Sequence, residues 1–239
     1  MSAPENLTVF NGVDISRLVI VEDVERPVLA KRKLDTKQLP GAQGSYIMAR
    51  GYETATIKLS CRLRRPRLHD VADTLHELAR ALQTNEPCKL VLPDDATRSY
   101  MAIYVGGDAF KSDLYKTKFT LTFELVDPIA YGAHHKEHYN KHMAAFTGGT
   151  YEARPVIRVK PEAGTAYWEV RNMTSGRYVG VHANFSGASD LVIDMQLERV
   201  TINGYDAAVD LDSDFFSMST GDELTATSEY TIEWEERFI

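Results

Sequence analysis

Two periods of apolar residues organise this chain, and the shorter one dominates. In TIKLSCRL, Ile57, Leu59, Cys61 and Leu63 fall on one face of an extended segment, while Lys58, Ser60 and Arg62 fall on the other. This is the pattern of a strand with one side buried. KFTLTFELV repeats it, with Phe119, Leu121, Phe123 and Leu125 set against Thr120, Thr122 and Glu124. Between the two, KLVL and SYMAIYV are separated by Pro93, Asp94 and Asp95 and predict a hairpin. The longer period occurs in HDVADTLHELARALQ, where Val71, Leu75, Leu78, Ala79 and Leu82 make one stripe along an amphipathic helix of about four turns. Asp70 and Asp73 lie near its start, where negative charge suits the helix dipole.

Residues 128–154 break the rhythm. Pro128, Gly132, a run of histidines, Gly148, Gly149 and Pro155 frame a polar, turn-rich passage, which predicts a linker over 133–150 between a first domain, 1–132, and a second, 151–239. In the second, PVIRV, YWEVRN, YVGVHA, LVIDM, ERVTING, FFSM and YTIEWEE read as short strands. Turn signals at Asn172, Gly187, Asn203-Gly204 and Gly221-Asp222 separate them, and an all-β sandwich is expected.

Composition narrows the function. The 239 residues are 44% hydrophobic, enough for one large or two modest cores. No run approaches the roughly 20 apolar residues of a membrane helix, and MSAPENLTVFNG lacks the blocks of a signal peptide, so no membrane is expected and folding is placed in a cytoplasm. The net charge of −7 is uneven: residues 1–131 carry +1 and residues 132–239 carry −8. An acidic second half is a poor nucleic-acid surface. The basic cluster Arg62, Arg64, Arg65 and Arg67 reads as a solvated face or an ion-pair row. Cys61 and Cys88 have no metal-like spacing, and Cys61 reads as a buried thiol.

Four of the seven histidines fall within AYGAHHKEHYNKH. On a helix His134, His138 and His142 would share a face, but a zinc site draws its ligands from separate elements, and Glu137 sits directly before His138 rather than between two ligands as in H-E-x-x-H. His69 and His76 read as ordinary helix residues. No metal is assigned. DLDSD places Asp210, Asp212 and Asp214 together, yet the sixth and twelfth places of a calcium loop hold Phe215 and Gly221, so the acids read as a solubilising edge. Ser213 and Ser217 lie outside any G-x-S-x-G elbow, and GGDAFK lacks the ending of a phosphate loop. Glu169, Glu233 and Glu235 on strands keep a glycosidase reading open. Trp168 and Trp234 are weak candidates for stacking on a saccharide ring, against packing within a sheet. No catalytic residue and no cofactor is assigned.

The order of segments carries a resemblance. LTVFNGVDISRLVIVEDVERP, LPGAQG at 39–44, TIKLSCRL, the helix, KLVLPDDATRSYMAIYVGG and FTLTFELVDPIAYG together resemble the N-terminal domain of the siphophage distal tail protein family. GGTYEARPVIRV, WEVRNMTSGRYVGV, LVIDMQLERVTINGYDAAVDLDSDFFSMSTGDE and YTIEWEERFI look like that family's galectin-like sandwich. The resemblance implies a mainly β protein, with an N-terminal β-sandwich-like domain carrying one amphipathic helix and an extended loop, then a C-terminal galectin-like β-sandwich.

It further implies a structural component of a long non-contractile tail, found in the virion and assembled in the host cytoplasm. Copies of the chain would form a hexameric ring joining the tail tube protein above to the baseplate, tail fibre or tail-associated lysin below. The extended piece from Leu29 to Tyr52, centred on Leu39, Pro40, Gly41 and Gly44, would be an arm lapping a neighbouring subunit. Ala42 stands where many relatives carry a basic residue. Such tail tips often bind calcium, so a weak ion site stays open. A lectin-like module using Trp168 or Trp234 for host attachment is the alternative, and a β-rich hydrolase a third reading.

Overall fold

The computed structural model describes residues 7–38, 41, 43–64, 71–108 and 118–239, which divide into two units at Ala130 and Tyr131. Unit 1 contains β1 (Val9–Phe10), β2 (Val13–Asp14), β3 (Val19–Glu25), β4 (Arg32–Lys37), β5 (Tyr46–Tyr52), β6 (Ala55–Leu63), α1 (Val71–Leu82), β7 (Cys88–Leu92), β8 (Asp95–Gly106) and the first part of β9 (Lys118–Tyr139). Its main sheet runs β3-β6-β9-β8-β7-β1-β2, and β4 pairs only with β5.

The expected alternation is met along β6, where Ala55, Ile57, Leu59, Cys61 and Leu63 are buried and the residues between them are exposed. The register sets Ile57 opposite Phe123, Leu59 opposite Leu121 and Cys61 opposite Phe119, so apolar pairs meet directly on the inner face. Phe10 and Tyr104 close on Phe123 with ring centroids at 5.1 and 5.7 Å. Burial pushes the Cys61 thiol up to about 12, in keeping with its reading as an inert core residue.

On the outer face the same register opposes two cations, Arg62 and Lys118. A bulge in β3, between Val21 and Asp23, leaves Glu22 unpaired in the ladder. Its carboxylate reaches Arg62 Nε at 2.9 Å and Lys118 Nζ at 2.6 Å. Lys118 foremost, by hydrogen bonding, holds Glu22 below its ordinary value. Arg64 donates from Nε to the Ser16 carbonyl at 2.7 Å, while Arg65, Arg67, His69 and Asp70 lie outside the described residues. The helix covers the core with Leu78, Ala81 and Leu82.

Unit 2 contains the second part of β9, then β10 (His142–Ala144), β11 (Val156–Val159), β12 (Tyr167–Asn172), β13 (Tyr178–His182), β14 (Leu191–Asp194), β15 (Arg199–Ile202), β16 (Tyr205–Asp206), β17 (Glu223–Ala226) and β18 (Tyr230–Phe238). One sheet runs β16-β15-β14-β11-β18-β9 and the other β10-β17-β12-β13. Their inner faces meet over Trp168, Val170, Val179, Leu191, Ile193, Leu224, Ile232 and Trp234.

Two expectations are corrected here. Residues 133–150 are not a linker: strand β9 runs on to Tyr139, β10 pairs with β17, and Met143 and Ala145 are buried in the core. Most side chains of 132–138 are exposed, so this stretch is held by its backbone ladder to β18 and shows no apolar period. FFSM is not a strand either. Phe216 and Met218 point inward, but the backbone makes only one isolated bridge, Ala153 to Met218.

Met143→Ala should therefore lower the stability of unit 2 by about 2–5 kcal/mol, as for a core methionine, while Ala144→Ser stays within about 0.5 kcal/mol. Denaturant titration followed by tryptophan fluorescence measures both, since both tryptophans of the chain, Trp168 and Trp234, lie in that core. Equal, small effects would return the passage to a linker.

Candidate subunit interface

The extended piece anticipated between Leu29 and Tyr52 is a hairpin with no core of its own. After β3, Arg26 reaches across to the β7–β8 turn, pairing with Asp94 at 2.9 Å and donating to the Tyr100 hydroxyl at 2.8 Å. Burial foremost raises the Tyr100 phenol. Ala30 is still buried, and then the chain leaves the body. Glu53 N donates to the Lys31 carbonyl at 2.8 Å, and the Lys31 ammonium meets the Glu53 carboxylate at 3.2 Å, closing the root.

Beyond the root, β4 and β5 pair from Arg32–Tyr52 to Lys37–Tyr46, with a register shift after Asp35. Every side chain of β4 is exposed. Leu34, Tyr46 and Ile47 stand about half exposed, at 49, 58 and 49%, and Val28 is fully exposed near the root. Of the predicted arm residues, Gly41 and Gly44 lie between the strands with φ of +83° and +99° and open space around them. A side chain there would be strained by the backbone rather than by a neighbour. Leu39, Pro40 and Ala42 lie outside the described residues.

The other candidates separate from this region and from one another. Trp168 is fully buried and donates its indole N–H to Ser228 Oγ at 3.0 Å, while Trp234 is 3% exposed and donates to the Thr147 carbonyl at 3.2 Å. Neither presents a ring face to a sugar, which corrects the saccharide-stacking expectation; inward strand positions claim both rings.

Glu169 points outward from β12, and Glu233 from β18 in the opposite sheet, so the sandwich core separates these carboxylates. Glu169 accepts from the Tyr167 hydroxyl at 2.8 Å and pairs with Arg171. Glu233 meets Lys136 at 2.8 Å and Arg158 at 3.4 Å, and the Lys136 hydrogen bond above all holds it below its ordinary value.

The histidine run is divided between two strands: His134 and His138 stand four apart on β9, about 13 Å from each other, and His142 opens β10 after a bend. His135 stacks on Trp234 and reaches Glu236 at 2.9 Å, and His138 lies beside Glu229 and Thr231. Among the described residues no group of three His, Cys, Asp or Glu side chains is placed to hold a metal.

The DLDSD acids form a cover. Asp210 N donates to the Gly180 carbonyl, Gly180 N to Ser213 Oγ, and Asp214 N to the Tyr178 carbonyl, so this segment lies along the outer edge of β13. Ala109, Phe110 and Lys111 of GGDAFK lie outside the described residues.

Two family descriptions match the chain. Residues 13–125 match the phage tail protein RIFT-related domain, and residues 148–238 match the siphovirus-type tail component, C-terminal domain. The chain belongs to the siphophage distal tail protein family. It is a structural component of the distal end of a phage tail.

Among solved structures it resembles the Dit protein of phage SPP1, described as a paradigm of the hub adsorption apparatus in phages that infect Gram-positive hosts. The TM-score is 0.84 at 19% identity over 98% of this chain and 99% of that one. A chain of the phage p2 baseplate in its activated conformation with strontium matches at TM-score 0.51 and 7% identity, over 97% of both chains. These likenesses carry the mainly β two-unit fold. No curated protein matches the chain significantly. The sequence missed the apolar positions Leu34, Tyr46 and Ile47 as interface candidates; three apolar side chains among the cations of KRKLDTK and the glycines after it were the available signal.

Because Glu233 titrates below its ordinary 4.5, its ionised form favours the fold. That contribution is present above the unfolded value and is lost as pH falls through the folded one. Glu233→Gln should therefore flatten the acid limb of the stability profile below about pH 4.5 and leave the limb above pH 6 parallel to that of the parent, read by denaturant midpoints. Identical acid limbs would remove Lys136–Glu233–Arg158 as a stabilising contact.

Proposed function

We propose that copies of this chain close head to tail into a hexameric ring at the distal end of a siphophage tail, through the β4–β5 arm. The observation that supports this is a two-stranded hairpin that leaves the body of unit 1 and exposes Leu34, Tyr46 and Ile47. A lone hairpin is marginal in water, and apolar side chains on it gain burial only from another molecule. Contacts between unlike surfaces of identical copies give a ring when the rotation closes.

On this reading the ring joins the tail tube to baseplate components, a tail fibre or a tail-associated lysin. It is assembled in the host cytoplasm and acts as a connector without catalysis of its own. The near-neutral first half packs against its copies, while the second half, at −8, repels its copies and faces outward. The burial of Trp168 and Trp234 removes the basis of the lectin reading.

Light scattering on a size-exclusion column should give a mass of several subunits, and negative-stain micrographs should show a central hole. A chain in which residues 32–52 are replaced by a short Gly-Ser turn should elute as a monomer with an unchanged tryptophan denaturation curve. A parent that stays monomeric at every concentration and salt would end the reading.

A further inference from the structure

The sheet β10-β17-β12-β13 of unit 2 has two margins, and the chain treats them differently. Along β13, Asp210 N donates to the Gly180 carbonyl and Asp214 N to the Tyr178 carbonyl, so a segment already lies there. Along β10 no such segment pairs among the described residues. The Lys141 carbonyl accepts from Ala226 N at 2.8 Å, Ala145 N donates to the Asp222 carbonyl at 2.7 Å, and Thr147 N donates to Thr220 Oγ1 at 3.1 Å. Lys141, Met143, Ala145 and Thr147 therefore turn their backbone groups toward β17 and the turn before it. By alternation, His142, Ala144 and Phe146 turn theirs away. All three are exposed, and Ala144 has too short a side chain to screen its own amide.

The side chains alternate in step. Met143 and Ala145 enter the core, while Phe146 stands 72% exposed on the outer face, held there by the hydrogen bonds of its two neighbours. Proteins blunt strand edges with proline, charge or a covering segment. Here alanine and phenylalanine follow His142 instead.

We propose that this margin, from His142 to Phe146, takes an extended cationic segment of a partner protein as an added strand. The inference concerns unit 2 alone and stands apart from the ring reading. In strand addition, backbone pairing supplies affinity and alternate side chains supply selectivity. The free N–H and C=O groups of His142, Ala144 and Phe146 would carry the ladder, and an apolar side chain of the partner beside Phe146 would take that ring out of water. Charge favours a basic partner over a second copy. Glu223 stands exposed directly opposite Ala144, and residues 132–239 carry −8, against which Lys141 is a minor term. Two such margins from copies of the chain would bring like charges together.

The probe is a fluorescein-labelled peptide of alternating valine and threonine with lysine at both ends, titrated with the whole chain and followed by anisotropy. Saturable binding is expected, weakened about tenfold or more when glutamate replaces the lysines. Ala144→Pro removes an N–H that the fold does not use, and should weaken binding by a similar factor with the tryptophan denaturation curve unchanged. Phe146→Ser, at an exposed position, is an independent variant with the same expectation. Methylating alternate amides of the peptide separates strand pairing from mere adhesion: the set that faces the margin should abolish binding and the other set should leave it.

Absence of saturable binding, equal binding of the acidic peptide, equal loss from both methylated sets, or undiminished binding by both variants would overturn the proposal. So would a change in the assembly mass of Ala144→Pro by light scattering, which would assign the margin to copies of the chain instead.

Discussion

Unit 1 depends on the register between β6 and β9. Each strand has one buried face, so a slip of a single residue would turn Ile57, Leu59 and Cys61 toward water and bring Lys58, Ser60 and Arg62 into the core. At about 1.5–3 kcal/mol for each large aliphatic side chain returned to solvent, no pairing on the outer face could compensate. That face instead adapts to the register. It places Arg62 opposite Lys118, an unfavourable pair alone, and the bulge in β3 delivers Glu22 between them. The bulge is thus the local adjustment by which charge on one side is reconciled with burial on the other.

The arm follows the opposite rule. Every side chain of β4 is exposed, so burial along that strand selects no register; the root and the turn must do so. Arg26, Lys31 and Glu53 fix where the hairpin starts, and the glycines with positive φ shape its far end. What it lacks in internal stabilisation is a measure of what it can gain from a partner. An element that is costly to leave exposed and firmly rooted is suited to join copies, because its unfavourable hydration is relieved only in the assembly. The body of the unit has a core of its own and needs no such relief.

How legible each element was follows from the same distinction. Strands β6, β12 and β18 and the first part of β9 announced themselves because one face of each is buried and every second residue must be apolar. The end of β9 did not, since Ala133, His134, Lys136, Glu137 and His138 are exposed and only backbone pairing to β18 makes it a strand. Three histidines in that stretch, with His142 of β10, resembled a site and proved to be strand residues, His135 laid flat on Trp234. β4 and β5 were invisible as strands for the same reason, and only the family resemblance implied an extended piece there. Parity placed Trp168 correctly only once Val170 and Asn172 were seen to share its inward face.

The short acidic cover on β13 has a bearing on crowded assemblies. A connector holding many identical sandwiches side by side brings their sheet margins together at high local concentration, conditions that favour runaway strand-to-strand growth. With the Tyr178 carbonyl and both backbone groups of Gly180 already engaged by Asp214, Asp210 and Ser213, part of that margin is closed to a sibling strand. In the ring proposed above, this cover would help to keep neighbouring copies discrete.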